Sequence, residues 1–409
     1  MQVKIIIDIN PFFSSSASAN RWLTLIEGLN SLNVKIDLLV VGNYQSSAEK
    51  NKLKSVSEIN GIKIKYLTSL ILSGIWQRRF YNYFGKYVQA FFIKKKLKNE
   101  LSDFKGFVWA ENNLIIWKII CSILNASKKS FKLISEMSEF LDILQYNKGN
   151  VLQRRAEKEK KIFFESIYIH KIDGLVLMTK TLMKHYSNFD SFPSLTHIPM
   201  TVDFQRFDKK PDVLPEFEMP YIAYIGVMDN AKDGVNILID AFSQISKEYY
   251  ELKLYLVGGW NYDTPSHLSR IKELDLENRI KWLGEYPRDV IPSIICNAKI
   301  LTLPRPDSKQ AQGGFPTKLG EYLATGVPVC ATSVGEISDY LIDNKSIFFA
   351  EPGSVDSFAN SLRNALKDSV KANKVGKQGK KIAEKHFNKK IQSRTLYKFL
   401  KQLLNENKK

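Results

Sequence analysis

Short runs of β-branched and aliphatic residues alternate with stretches of helical periodicity from one end of the chain to the other. That rhythm predicts parallel sheets with helices on both faces, an α/β chain throughout. In the first half the predicted strands are 3–9, 35–41, 62–67, 106–110, 131–135, 174–178 and 196–199. The pattern then lapses into FQRFDKKPDVLPEFEMP, charged and proline-containing, which reads as an interdomain linker. It restarts with predicted strands at 221–226, 252–257, 280–283, 300–303, 327–331 and 347–349. Beyond 371 the chain is strongly basic, and Ile382, Phe387, Ile391, Leu396, Phe399 and Leu403 are spaced as in one or two surface helices. The expected divisions are 1–203, a linker at 204–218, 219–370, and basic helices at 371–409 whose packing back on the first half is left open.

Composition supports two folded halves. A chain of 409 residues exceeds what one core usually supports, and 44% hydrophobic with 12% aromatic residues excludes a disordered chain. Cys121, Cys296 and Cys330 are far apart and lack metal-ligand spacing, so neither a disulfide framework nor a zinc site is expected, and a reducing cytoplasm fits best. The start, MQVKIIIDIN, lacks the long apolar region of a secretory signal. The apolar stretch 114–124 is interrupted by Lys118 and falls short of the ~20 residues of a membrane span. A net charge of +18 calls for a polyanionic neighbour, whether nucleic acid, anionic lipid or a phosphorylated substrate, unless it reflects biased genome composition. No helix-turn-helix, zinc-finger or RNA-binding aromatic motif accompanies it, so nucleic acid is not the expected partner.

Chemistry concentrates in RPDSKQAQGGFPTKLGEYLATGVPVCAT, from Arg305 to Thr332. Gly313 and Gly314 allow close approach of backbone to a ligand, and Pro316 suits a helix start. Exposed amides at that start, the positive end of the helix dipole and Lys318 together suit a diphosphate. Glu321 follows one turn later, with a carboxylate suited to two adjacent ribose hydroxyls. The alternative for the segment is a glycine turn capping an ordinary core helix.

The run GGFPTKLGEYLATGVPV resembles the donor-binding signature of retaining group 1 glycosyltransferases. The resemblance implies the GT-B fold, two Rossmann-like domains facing each other across a cleft. It also implies a nucleotide-sugar donor, a glycan or lipid-linked acceptor, and no cofactor beyond the donor itself. That family has two glutamates eight positions apart. Glu321 matches the second, the ribose ligand, whereas the first falls on Gly313, so backbone of Gly313, Gly314 and Phe315 would have to serve the sugar. Thr317 and Leu319 complete the segment. YIGVMDNAKDGVNILIDAF resembles the family's other phosphate loop, with Gly226 ending its strand and Lys232 as the phosphate cation. Val227 stands where the family commonly has arginine, and Arg305 is the candidate replacement; a solvated surface arginine explains it equally well.

Three further sets are weaker. Glu285 and Tyr286, in WLGEYPRDVIPSII, occupy the loop where the family seats the nucleotide base. In the first half, Ser15, Ser16 and Asn20 fall on the family's glycine-rich loop, although a serine N-cap accounts for them as well. Glu111, Glu136 and Glu139 are the acid candidates, because no histidine stands where the family places one. Finally, Trp76, Phe80, Tyr83, Phe84, Tyr87 and Phe91 recur near one helical face ahead of Lys94, Lys95, Lys96 and Lys98. Such a stripe is either core or a face for an anionic membrane, which leaves peripheral contact with the inner side of the plasma membrane open. There is no Asp-x-Asp sequence, the usual metal signature of the other glycosyltransferase architecture, so metal-independent transfer is expected. A nucleotide-sugar epimerase on the same fold and an inert nucleotide-sugar binder are the rival readings.

Overall fold

In the computed structural model, residues 1–14, 16–81, 85–126, 129–143, 151–189, 193–209 and 211–406 are described. They form two compact units, Met1–Ile198 with Ser393–Lys409, and Pro199–Gln392. The stretch 204–218 falls wholly inside the second unit. Of the two basic C-terminal helices, Ser369–Phe387 belongs to the second unit and most of Lys389–Asn405 to the first.

Unit 1 is built on an eight-stranded sheet. Its strands are β1 (Gln2–Ile7), β2 (Lys35–Val40), β3 (Glu58–Ile59), β4 (Ile62–Tyr66), β5 (Phe107–Ala110), β6 (Lys132–Met137), β7 (Gly174–Leu177) and β8 (Ser194–His197). The order is β3-β4-β2-β1-β5-β6-β7-β8, parallel except for the β3–β4 hairpin. The strands read as continuous apolar runs because both sheet faces are covered. Ile5 and Ile7 pack with Trp22, Leu25, Ile26, Phe399 and Leu403 on one side, whereas Ile6 packs with Leu97, Trp117 and Tyr168 on the other. Helix Lys389–Asn405 is thus part of this core rather than a surface helix. A Cβ at Gly174 would lie 2.8 Å from Leu403 Cδ1 and 2.9 Å from Phe399 Cζ, so the helix approaches β7 only because that position lacks a side chain.

Unit 2 carries six parallel strands, β9 (Tyr221–Ile225), β10 (Lys253–Val257), β11 (Ile280–Trp282), β12 (Ile300–Leu303), β13 (Val329–Thr332) and β14 (Phe348–Ala350), in the order β11-β10-β9-β12-β13-β14. The strand order reverses between β9 and β12, where Ala223 pairs with Leu301. In open α/β sheets ligands bind beyond the carboxyl ends of the strands at such a reversal. Both phosphate-type segments of the sequence leave the sheet there. Unit 1 has the same reversal between β1 and β5.

The described side chains of the aromatic stripe are not core. Trp76, Phe80 and Phe91 are exposed, while Tyr83, Phe84 and the side chain of Tyr87 lie outside the described residues. Among the described residues no helix is long and apolar enough to cross a membrane.

Candidate functional site

Beyond β9 the chain turns at Gly226, whose φ of +153° is a conformation side-chain-bearing residues rarely adopt. A Cβ there would lie 2.2 Å from Lys318 Nζ, so the missing side chain is what admits the lysine. Asp229 caps the next short helix, Asn230–Asp233, by accepting from the Lys232 amide at 2.7 Å. Gly234, at φ +67°, then starts Val235–Ser246; a Cβ there would meet the Pro304 carbonyl oxygen at 2.1 Å. The loop after β9 is therefore pressed against the loop after β12.

Helix Thr317–Thr325 opens on Pro316 with no side-chain cap and ends at Gly326 in the left-handed conformation. An uncapped start leaves the helix dipole and the first amides available to an anion, while the Leu319 amide donates to the Pro316 carbonyl at 3.1 Å. Gly313 does not belong to an open loop but closes a short helix, Lys309–Gly313, and Gly314 sits at φ −112°, which any residue can adopt. Phe315 is buried with its ring 5.2 Å from Phe387, and Leu319 is fully buried. Both side chains are core, so only their backbone is available to a ligand. Thr317 is half-buried at the helix start.

Lys318 reaches from this helix to the β9 loop, donating to Asp233 Oδ1 at 2.9 Å and Tyr224 Oη at 3.0 Å, with its ammonium 4.6 Å from the Tyr224 ring centre. Burial pulls the Lys318 ammonium below its ordinary value, and Asp233 opposes the pull. For Asp233 burial acts upward, but Lys318, with Arg305 and Lys232, more than offsets it and holds the carboxyl below 3.8. Arg305 is buried, not a solvated surface arginine, and its charge is felt at Asp233. Three cations thus gather at the strand-order reversal, with Lys232 exposed and Lys318 already holding the loop in place. Asp233 was not singled out from sequence; its partner lies 85 residues away, and no local pattern marks the pair.

Glu321 lies one turn beyond Lys318. Its Oε1 forms an ion pair with Arg206 Nη1, and Arg206 Nη2 donates to the Arg288 carbonyl at 2.7 Å. Glu285 is exposed in the loop after β11. The Tyr286 hydroxyl is engaged by Glu216 Oε1 at 2.8 Å, a contact that together with burial pushes its pKa up to about 12. Tyr286 is tied through its hydroxyl to the chain before β9.

In unit 1, Ser16 is the N-cap of helix Ala17–Asn30, accepting from the Ala19 amide at 3.2 Å, and the Asn20 amide donates to the Ser16 carbonyl at 3.0 Å. Ser15 lies outside the described residues. Glu136 is buried, paired through Oε1 with Arg21, which also donates to the Ile198 carbonyl at 2.8 Å; it is not an open acid. Glu111 stands at the β1–β5 reversal and accepts from the Asp8 amide at 2.5 Å. Burial, with Asp8 and Glu136 nearby, raises its pKa to about 7, against the Asp8 amide and Lys160, which lower it. Asp8 itself is raised by burial. Glu139 is half-buried. Among the described residues no group of three or more His, Cys, Asp or Glu side chains could hold a metal ion.

The GDP-mannose-dependent monoacylated alpha-(1-6)-phosphatidylinositol monomannoside mannosyltransferase of Corynebacterium glutamicum is 25% identical over 247 residues, 56% of this chain and 62% of that protein. The alignments span 40% to 62% of the length of the curated relatives matched. Sucrose-phosphate synthase from Thermosynechococcus elongatus superposes with a TM-score of 0.77 at 16% identity, covering 99% of this chain and 100% of that one. Anabaena HepE in complex with UDP-glucose superposes at 0.69 with 14% identity, covering 98% and 100%. The family model for glycosyl transferases group 1 matches residues 206–382. The chain thus has the GT-B fold, and over residues 206–382 it is similar to the glycosyl transferases group 1 family.

Proposed function

We propose that the protein transfers a sugar from a nucleoside-diphosphate sugar to a hydroxyl of a glycan or lipid-linked acceptor, retaining anomeric configuration and using no metal or further cofactor. The observation that carries this reading is the convergence of Lys232, Lys318, Arg305 and an uncapped helix start at the strand-order reversal of unit 2. In the reaction the bond from the anomeric carbon to the phosphate oxygen breaks, and its electron pair stays on the diphosphate. The acceptor oxygen bonds to the anomeric carbon and its proton leaves. Fixed cations and helix amides at the diphosphate stabilise the charge that grows there more than the charge of the ground state. Gly226, Gly313, Gly314 and Pro316 bring backbone to the donor, Glu321 takes the ribose, and Glu285 borders the base. Retention rests on the resemblance of GGFPTKLGEYLATGVPV to retaining enzymes, and no side chain is assigned as a covalent nucleophile.

Release of nucleoside diphosphate from donor plus acceptor, unchanged by a chelator and giving product of the donor's anomeric configuration by NMR, is the expected result. Loss of activity with a chelator, or inverted product, contradicts the finer reading. Donor conversion without acceptor indicates the epimerase, and binding without turnover the inert binder. Relatives point to both bases, one being GDP-mannose-dependent and another structure holding UDP-glucose, so both nucleotides are tested.

The acceptor side is read as lying against an anionic membrane on the cytoplasmic face. On helix Lys86–Leu101, Ile93, Leu97 and Leu101 are buried, while Val88, Phe91 and Phe92 are exposed with Lys95, Lys96 and Lys98 following. Phe91 is 68% exposed and Trp76, nearby in sequence, 79%, an apolar surface that solvent alone does not favour. Co-sedimentation with vesicles containing phosphatidylglycerol, weakened by Phe91→Ser with Phe92→Ser and absent with neutral vesicles, is expected. Equal recovery with and without these aromatics contradicts the docking face.

A further inference from the structure

We infer that Arg206 is a positioning residue for the nucleotide ribose: it holds the Glu321 carboxylate so that the oxygen it leaves untouched faces the vicinal diol. The inference rests on the reading of unit 2 as the donor site. Arg206 sits in the short turn Phe204–Phe207, which is itself fixed. Phe204 and Phe207 are buried, Asp203 accepts from the Gln205 amide at 3.2 Å, and Lys389 Nζ pairs with Asp203 at 2.8 Å. The guanidinium lies 5.3 Å from the Phe207 ring. One arm pairs with Glu321 Oε1 and the other donates to the Arg288 carbonyl at 2.7 Å, so its planar fork is held between two acceptors on different elements.

Two consequences follow from that placement. A glutamate has several rotatable bonds, and a freely turning carboxylate loses entropy when it binds a diol. Arg206 removes that freedom beforehand while occupying one oxygen, and an ionised carboxylate offers about four acceptor positions. Secondly, Glu321 stands within one turn of the proposed diphosphate position, where an uncompensated negative charge would repel the nucleotide. Arg206 compensates it. Because the second arm holds the loop carrying Glu285, the same guanidinium ties the ribose carboxylate to the base-side loop. Sequence gave no sign of this, since the two partners are 115 residues apart.

The test is titration of wild type, Arg206→Ala, Arg206→Lys, Glu321→Ala and the Arg206→Ala/Glu321→Ala double variant with UDP, GDP and the 2′-deoxy and 3′-deoxy forms of whichever binds. Wild type is expected to prefer the ribonucleotide by about tenfold or more, the loss typical of an unmade hydrogen bond to a charged group. Arg206→Ala should lose most of that preference, weakening the ribonucleotide well beyond the deoxy forms, which lose only the charge compensation. Arg206→Lys should recover part of it, and the double variant should add nothing to Glu321→Ala. In turnover the effect should fall on the donor KM rather than kcat. Equal weakening toward ribo and deoxy forms would make Arg206 a structural support only and overturn the inference. Tighter binding by Arg206→Ala would overturn it in the other direction, as a contact that must break for the donor to enter. Should Arg206→Ala fail to fold, Arg206→Lys carries the comparison, because it keeps the charge without the two-armed fork. A wild type that binds no nucleotide at all sinks the donor-site reading itself, and this inference with it.

Discussion

Replacing Glu111 by glutamine should stabilise the protein at alkaline pH and do little in acid. Glu111 is held at the end of β5 by the Asp8 amide, and burial lifts its pKa from an ordinary 4.5 to about 7, with Asp8 and Glu136 adding to the rise and Lys160 opposing it. A folded-state pKa above the unfolded one favours the protonated form. The associated stability is complete below about pH 4.5 and is lost as pH rises through about 7. At about 1.4 kcal/mol per pH unit the displacement is on the order of 3 kcal/mol, all of it charged against the wild type by pH 8. Glutamine keeps an acceptor for the Asp8 amide and carries no charge. The variant should therefore exceed wild type by about 3 kcal/mol at pH 8 and by under about 1 kcal/mol at pH 5. For a unit of this size that is a rise in unfolding midpoint of about 6 °C or more at pH 8. Thermal unfolding followed by circular dichroism at both pH values reads it, on the transition assigned to unit 1. An equal gain at pH 5 and pH 8, or a loss at pH 8, would refute the burial argument.

Three other substitutions probe the packing that positions the sites. Gly226→Ala puts a methyl on Lys318 Nζ at a φ of +153°; a loss of about 1–3 kcal/mol and weaker nucleotide binding are expected, by melting and titration. Asp233→Asn leaves the Lys318 ammonium without its carboxylate and should cost about 3 kcal/mol, at the lower end for a buried pair because the lysine side chain is 21% exposed. Saturating nucleoside diphosphate should recover part of that loss, and no recovery would separate Lys318 from the donor. Leu403→Ala, in the fully buried face of the last helix, should cost about 2–5 kcal/mol and lower the unit 1 transition alone; an unchanged midpoint would contradict its place in that core.

How legible the molecule was depended on the range of the interaction. Thirteen of the strands were readable because parallel strands covered on both faces are runs of branched and aliphatic residues. The missed strand, Glu58–Ile59, is two residues long, although its turn at Asn60 and Gly61, both at positive φ, carried a hairpin signal. The helix start at Thr317 and its stop at Gly326 were equally local. Pairings across the sequence were not. The Lys318 bond to Asp233 and the Arg206 bond to Glu321 depend on which strand ends the fold brings together, and periodicity says nothing of that. The same limit applied to helix Lys389–Asn405: its apolar spacing was plain, but spacing does not name the sheet that buries it. Nor did the sequence show the Tyr286 bond to Glu216, which lies on the far side of β9 in sequence.

The donor site in unit 2 is tested most directly by calorimetric titration of wild type, Lys232→Ala and Glu321→Ala with UDP, GDP and their sugar conjugates. Binding of one nucleotide by wild type, weakened by both substitutions, is the predicted result and names the base. No binding, or binding that neither substitution changes, would contradict the assignment of Lys232 and Glu321 to the donor.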